Sequence, residues 1–143
     1  MLALKGAVLI YILENAFTIL TATLVGLGFG VGYCLMADRA RTRIIGLTKL
    51  VPLMLLAFVA QFWLASILAG ALILAPAEAD GWTMAIGSAL VIWIGFVVPV
   101  LFVTHRFRGL SARVALIDCG HWLAVMIAQA IMLHSMGLSP PPA

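Results

Sequence analysis

Charge is what this sequence most lacks. Of its 143 residues, five are acidic and eight are Lys or Arg, and charged side chains make up only 9% of the chain. A water-soluble domain of this length needs far more charged surface. Cysteine is also scarce. Cys34 and Cys119 offer neither a disulfide framework nor a zinc spacing. Both fall near helix ends on the expected cytoplasmic side, which is reducing, so they read as small packing residues. No small-residue cleavage site follows the lone early Lys5, so the pattern of a cleavable signal is missing. No metal-ligand cluster, nucleophile–base pair or cofactor motif is present, so no catalytic residue and no cofactor is expected, and an intramembrane enzyme ranks last. The net charge of +3 does not indicate nucleic acid, because the basic residues sit between apolar runs, where they mark membrane topology.

What the chain has is apolar residues, 65% of the total, gathered in runs long enough to cross a bilayer. They predict an all-α, polytopic membrane fold: four transmembrane helices in two hairpins, at about residues 15–36, 50–75, 82–104 and 114–136. Residues 1–14 read as an interfacial apolar arm, and 139–143 as a proline-rich tail. From Gly6 to Ala37 a continuous helix would run roughly 48 Å, beyond the ~30 Å hydrocarbon core. The arm therefore places Glu14 at headgroup level, near a helix N-terminus that favours a carboxylate. The alternative is one long tilted helix with Glu14 inside the membrane, which makes Glu14 a proton or ion candidate.

Helix 1 ends in Gly26, Gly28, Gly30 and Gly32. This run follows no strand and precedes no lysine, so it is not a phosphate loop. Gly26 and Gly30 are four apart, as are Gly28 and Gly32, which predicts two small-residue faces for helix packing. Helix 2 is uncharged, with Pro52 in its first turn and Gln61 as its one strongly polar residue. The turn after it, PAEADG, has no basic residue. In helix 3, Trp82 reads as an interfacial anchor and Pro99 as a kink. Arg39, Arg41, Arg43 and Lys49 follow helix 1, and Arg106, Arg108 and Arg113 follow helix 3. The positive-inside rule puts both loops in the cytoplasm of an inner membrane, with both termini on the periplasmic side. The same residues suit anionic lipid headgroups.

A shift of 67 residues aligns Gly28-Phe29-x-Val31 with Gly95-Phe96-x-Val98, Arg39-x-Arg41 with Arg106-x-Arg108, and Leu56-Ala57 with Leu123-Ala124. This reads as a parallel repeat of two like-oriented hairpins.

The pattern of GFVVPVLFVT, then HRFRGLSAR, then LIDCGHWLAV, with the Gly/Tyr end of helix 1, resembles a domain-of-unknown-function family of small four-helix bacterial membrane proteins. The resemblance covers about residues 15–137. It implies fold and location, and no activity. Members show a Trp-Tyr pair at the end of helix 1, whereas Gly32 precedes Tyr33 here.

The candidate chemistry lies mostly in the last helix. Asp118 and His121 are three apart and share a face. A carboxylate beside an imidazole can relay protons or bind a cation. The plainer reading pairs Asp118 with Arg113, Arg106 or Arg108. His134 has Ala130 one turn earlier, leaving room beside the ring for a pigment or haem. The plainer reading is an interfacial histidine. His121 and His134 cannot serve one face together, since thirteen residues at ~100° each set them roughly 140° apart. Trp63, Trp93 and Trp122 read as packing or lipid-facing residues. The leading expectation is a non-enzymatic accessory subunit that packs against other membrane subunits or itself. The alternative is a small oligomeric transporter or channel using Asp118 and His121.

Overall fold

The computed structural model describes residues 10–37, 47–76 and 78–140. Residues 1–9, with most of the expected arm, lie outside the described residues, as do Arg39, Arg41, Arg43 and the side chains of Cys34 and Lys49. The described residues are helical apart from turns and the tail. α1 is Ala16–Ala37, α2 is Leu47–Ile73, α3 is Gly81–Ile92, α4 is Val98–Phe107 and α5 is Ala112–Met136. A π-helical segment, Trp93–Val97, joins α3 to α4, so the two form one span, Gly81–Phe107. Four helices are thus long and apolar enough to cross a membrane.

Local sequence explains the breaks. Asp80 caps α3, its carboxylate accepting from the Thr83 N–H at 2.8 Å and from the Thr83 hydroxyl at 2.9 Å. These bonds, the backbone one foremost, hold the Asp80 carboxyl below its ordinary range. A depressed carboxylate stabilises the fold fully above its unfolded value, about 4, and loses that contribution as pH falls through the lower folded value. Asp80→Ala is expected to lower the thermal midpoint at pH 7, with the gap from wild type closing in acid. Asp80→Asn, an equally good cap, is expected to keep most of the neutral-pH stability. Midpoints followed from pH 7 to pH 3 check this.

Pro99 follows a π-helical turn rather than standing inside a plain α-helix. It stands in the first turn of α4, and the turn before it widens so that the Val98 N–H reaches the Trp93 carbonyl. A proline clashes with the carbonyl four residues back and brings no N–H of its own, and a π-turn absorbs both defects. The α4–α5 turn closes through Gly109 at φ +71°, a left-handed conformation that glycine adopts without strain.

Residues 10–14 are helical. The Asn15 N–H donates to the Tyr11 carbonyl at 3.1 Å, so only a turn at Asn15 separates them from α1. Glu14 is exposed there. The buried Asn15 amide also makes a reciprocal pair with the tail: Nδ2 donates to the Ser139 carbonyl at 2.9 Å, and the Ser139 N–H donates to Oδ1 at 2.8 Å. The start of α1, the 76–80 turn and the tail therefore share one end of the bundle, the tail end. The other end, where α4 turns into α5, is the loop end.

α5 is the central helix. It packs most extensively on α1 and also touches α2, α3 and α4. The core is built from Ile19, Ala22, Ala65, Leu68, Ala69, Ala85, Ala89, Met126, Ala130 and Leu133. Six of these ten are alanine, which lets helix axes come close where lipid supplies no hydrophobic drive. All ten belong to the tail-end half of their helices. Towards the loop end packing thins: α2 buries nothing between residues 50 and 60, and α4 buries no residue at all.

Candidate functional site: a polar line along the central helix

Three polar contacts follow one another along α5, starting from the loop end. The first joins α4 to α5. His105 Nδ1 lies 2.8 Å from the Leu101 carbonyl, and Nε2 lies 2.7 Å from Asp118 Oδ2. A carbonyl only accepts, so Nδ1 carries a hydrogen. The Nε2–Oδ2 contact then holds a second proton, on the ring or on the carboxyl. The pair is partly open to its surroundings, with the His105 side chain 13% exposed and that of Asp118 44%. Asp118 is therefore not paired with an arginine among the described residues, nor with His121. The expected helix end at residue 104 hid this partner. α4 runs on to Phe107, which brings His105 out of the loop and onto the face opposite Asp118. Arg106, Arg108 and Arg113 are exposed, and Arg106 donates to the Leu110 carbonyl at 3.3 Å.

The second contact is His121, three residues on. Its ring packs edge-on against Tyr33, with centroids 5.3 Å apart, and against Trp122 at 5.7 Å. The Tyr33 hydroxyl donates to the Ile117 carbonyl at 3.1 Å, so this tyrosine of α1 spans both polar positions. A Cβ on Gly30 would stand 3.3 Å from His121 Cε1. His121 Nδ1 is buried with no partner among the described residues.

The third contact lies one turn of α1 further, against Gly26. Gln129 Nε2 donates to Gln61 Oε1 at 2.8 Å and to the Gln61 carbonyl at 3.2 Å. Both glutamines are buried, and Gln129 Oε1 has no partner. A Cβ on Gly26 would stand 2.6 Å from Gln129 Nε2. Asp118 and Gln129 are eleven residues apart, about 16 Å along the helix, roughly half the hydrocarbon thickness.

The four glycines of α1 thus divide. Gly26 and Gly30 form the seat for this polar line. A Cβ on Gly28 or Gly32 would meet nothing within 4 Å, so that second face packs nothing among the described residues. Trp93 donates from Nε1 to the Cys119 carbonyl at 2.8 Å and ties the π-segment to α5, while Trp63 is exposed.

His134 stands apart at the tail end. Trp82 lies edge-on to its ring at 4.4 Å, and Gly81 packs directly on it, with its Cβ position against His134 Cε1. Ala130 is fully buried in the core. On the Ala130 side, the room expected beside His134 for a macrocycle is therefore filled by the packed core. Among the described residues no group of three or more His, Cys, Asp or Glu is placed to hold a metal ion.

The model of the family described as "Protein of unknown function (DUF1761)" matches residues 3–134. The chain belongs to this family. The match covers the first three spans, all but the last two residues of the fourth, and all three polar contacts. Searches of curated proteins and of solved structures find no match. The chain is thus a member of a family of unknown function, with four helices long and apolar enough to cross a membrane.

Proposed function

We propose that the protein is a non-enzymatic accessory subunit that packs against other membrane proteins through its loop-end half. The observation that carries this reading is the uneven packing. Of the Gly81–Phe107 span only Ala85 and Ala89 are buried, against eight residues of Ala112–Met136, and α2 buries nothing between residues 50 and 60. Open Gly28 and Gly32 lie in the same half of α1, where small residues let another helix approach closely. The π-segment adds an exposed Gly95. A photo-crosslinking side chain at Leu56 or Val100, both exposed, is expected to give one discrete heavier product with a second membrane protein in native membranes. Crosslinks to lipid alone would contradict the reading.

On the same proposal the protein sits in a bacterial inner membrane. Arg106, Arg108 and Arg113 are at the loop end, which the positive-inside rule assigns to the cytoplasm, and the tail end faces the periplasm. Reporter fusions after Pro140 test that orientation.

A second reading is proton or ion movement, favoured by one observation: the 2.7 Å contact of His105 with Asp118 stands three residues from His121, whose buried Nδ1 lacks a partner among the described residues. Ionisable groups within spans mark ion pathways. On this reading Asp118→Asn or His121→Ala abolishes proton-coupled flux in proteoliposomes. Wild-type flux in both variants removes these residues from any transport mechanism.

A further inference from the structure

A cavity of about 400 Å³ opens at the tail end, apart from the polar line. Its walls come from five pieces of chain: the end of α2, the 76–80 turn, the start of α3, the end of α5 and the tail. Leu72, Ile73, Met84, Leu133 and Leu138 make most of the lining, and His134 is its only side chain with a nitrogen or oxygen atom. The tail wall is anchored, since the Asn15 pair holds Ser139 between the lining residues Leu138 and Pro140.

We propose that this cavity binds the headgroup of a membrane-soluble quinone, with the His134 imidazole donating a hydrogen bond to a quinone carbonyl. Four observations choose that chemistry. The volume falls in the range of small-ligand sites, which combine apolar walls with a few placed polar groups. His134 makes no hydrogen bond to the described residues, and neither ring nitrogen is sealed off, while an imidazole always carries at least one N–H. Its ring is already oriented by Trp82 and Gly81, so binding orders little. The charge nearby is acidic: Glu78 and Asp80 stand in a turn with no basic residue. That disfavours a fatty acid or a phosphate headgroup. Asp80 itself is engaged by Thr83, so the cavity holds no free carboxylate for a lipophilic cation. An uncharged ring with a carbonyl acceptor meets these conditions, and the site lies at a span end, where such a ring leaves the bilayer interior.

Trp82 supplies the readout, because quinones quench indole fluorescence at contact distance. The full-length protein in detergent is titrated with a short-chain alkyl benzoquinone at fixed detergent concentration. Saturable quenching is expected, with its saturable part lost in Trp82→Phe. His134→Leu is expected to raise the midpoint about fivefold, the worth of one net hydrogen bond. His134→Gln, which keeps a donor, should stay near wild type. Ala79→Phe, at an exposed position in the lining, fills the mouth without touching the core and should also raise the midpoint. Quenching that is linear in quinone and equal in all variants means partition into the micelle and overturns the proposal. Saturable binding unchanged by both His134→Leu and Ala79→Phe places the ligand elsewhere and overturns it too. Displacement by laurate as effective as by a second quinone would show that the site takes anions, against the proposed class.

Discussion

Gly26→Val is expected to be among the most damaging single substitutions in this chain, while Gly28→Val, two residues away on the same helix, is expected to be nearly silent. A Cβ at residue 26 would lie 2.6 Å from Gln129 Nε2, 3.0 Å from Gln129 Cγ and 3.0 Å from Gln61 Oε1. Neither glutamine can step aside. Both are buried, and each is held by the other. The valine must therefore push α1 off α2 and α5 together, at the helix pair that shares the most contact. Overpacking of this kind costs about 3 kcal/mol, a large part of the margin of a small protein. Gly30→Val should fall between, since its Cβ would meet His121 Cε1 at 3.3 Å, close enough to require a small ring shift. At Gly28 nothing lies within 4 Å. The fraction of protein remaining monodisperse after a heat ramp in mild detergent ranks the three variants. Equal loss at Gly26 and Gly28 would mean that α1 is seated on a different face.

Gln61→Leu comes next. It removes Oε1, the better acceptor of the Gln129 amide, and leaves Nε2 only the Gln61 carbonyl at 3.2 Å. Gln129 Oε1 is already without a partner, so after the substitution the side chain is almost wholly unsatisfied in an apolar interior. A loss of about 1–2 kcal/mol is expected. Gln129→Leu should cost less, because it also removes the orphan oxygen. The double leucine variant should recover much of the loss, since an unmade hydrogen bond is more harmful than an absent one. Unfolding by SDS in mixed micelles, run as a double-mutant cycle, measures the coupling directly. Additive losses would show that the two amides do not depend on each other.

The fold class was legible because lipid-length apolar runs leave little alternative. The four spans lie close to their expected places. Details that depend on facing surfaces were not legible. Gly26/Gly30 and Gly28/Gly32 have identical spacing, and only the direction in which α1 meets α5 separates them. Asp118 stood out as a carboxylate in a spanning segment, but its partner was hidden. Ending the third span at Thr104 put His105 in a basic loop, when a few more residues of helix turn it towards α5. The glutamine pair did leave a signal. Gln61 and Gln129 are the only two glutamines in the chain, and each stands inside an apolar span, where a lone amide needs a partner. Gln61 is an isolated polar residue in its span, and Gln129 is its partner. Asn15 marks a turn between two helical stretches. Its grip on the tail was not legible, because the contact joins residues 124 apart.

The two halves of the bundle carry different parts of the account. The alanine-rich tail-end half holds the chain together and forms the cavity against His134. The loop-end half, with α4, the first part of α2 and the open glycines of α1, is the half that the proposed partner would cover. Four helices of this thinness enclose little space, and the polar line ends at the Gln61–Gln129 pair, about half way across. Packing against a partner uses this arrangement as it stands, whereas transport would require further copies to complete a path.

The most direct test is the mass of the native assembly. A tagged copy at native expression level, drawn from membranes in gentle detergent and weighed by native mass spectrometry, should carry other membrane proteins at a fixed ratio. Gly28→Val and Gly32→Val, which leave the chain's own packing alone, should weaken that association. A lone monomer, or a homo-oligomer unaffected by these variants, would contradict the subunit reading; the homo-oligomer would turn attention to flux through Asp118 and His121.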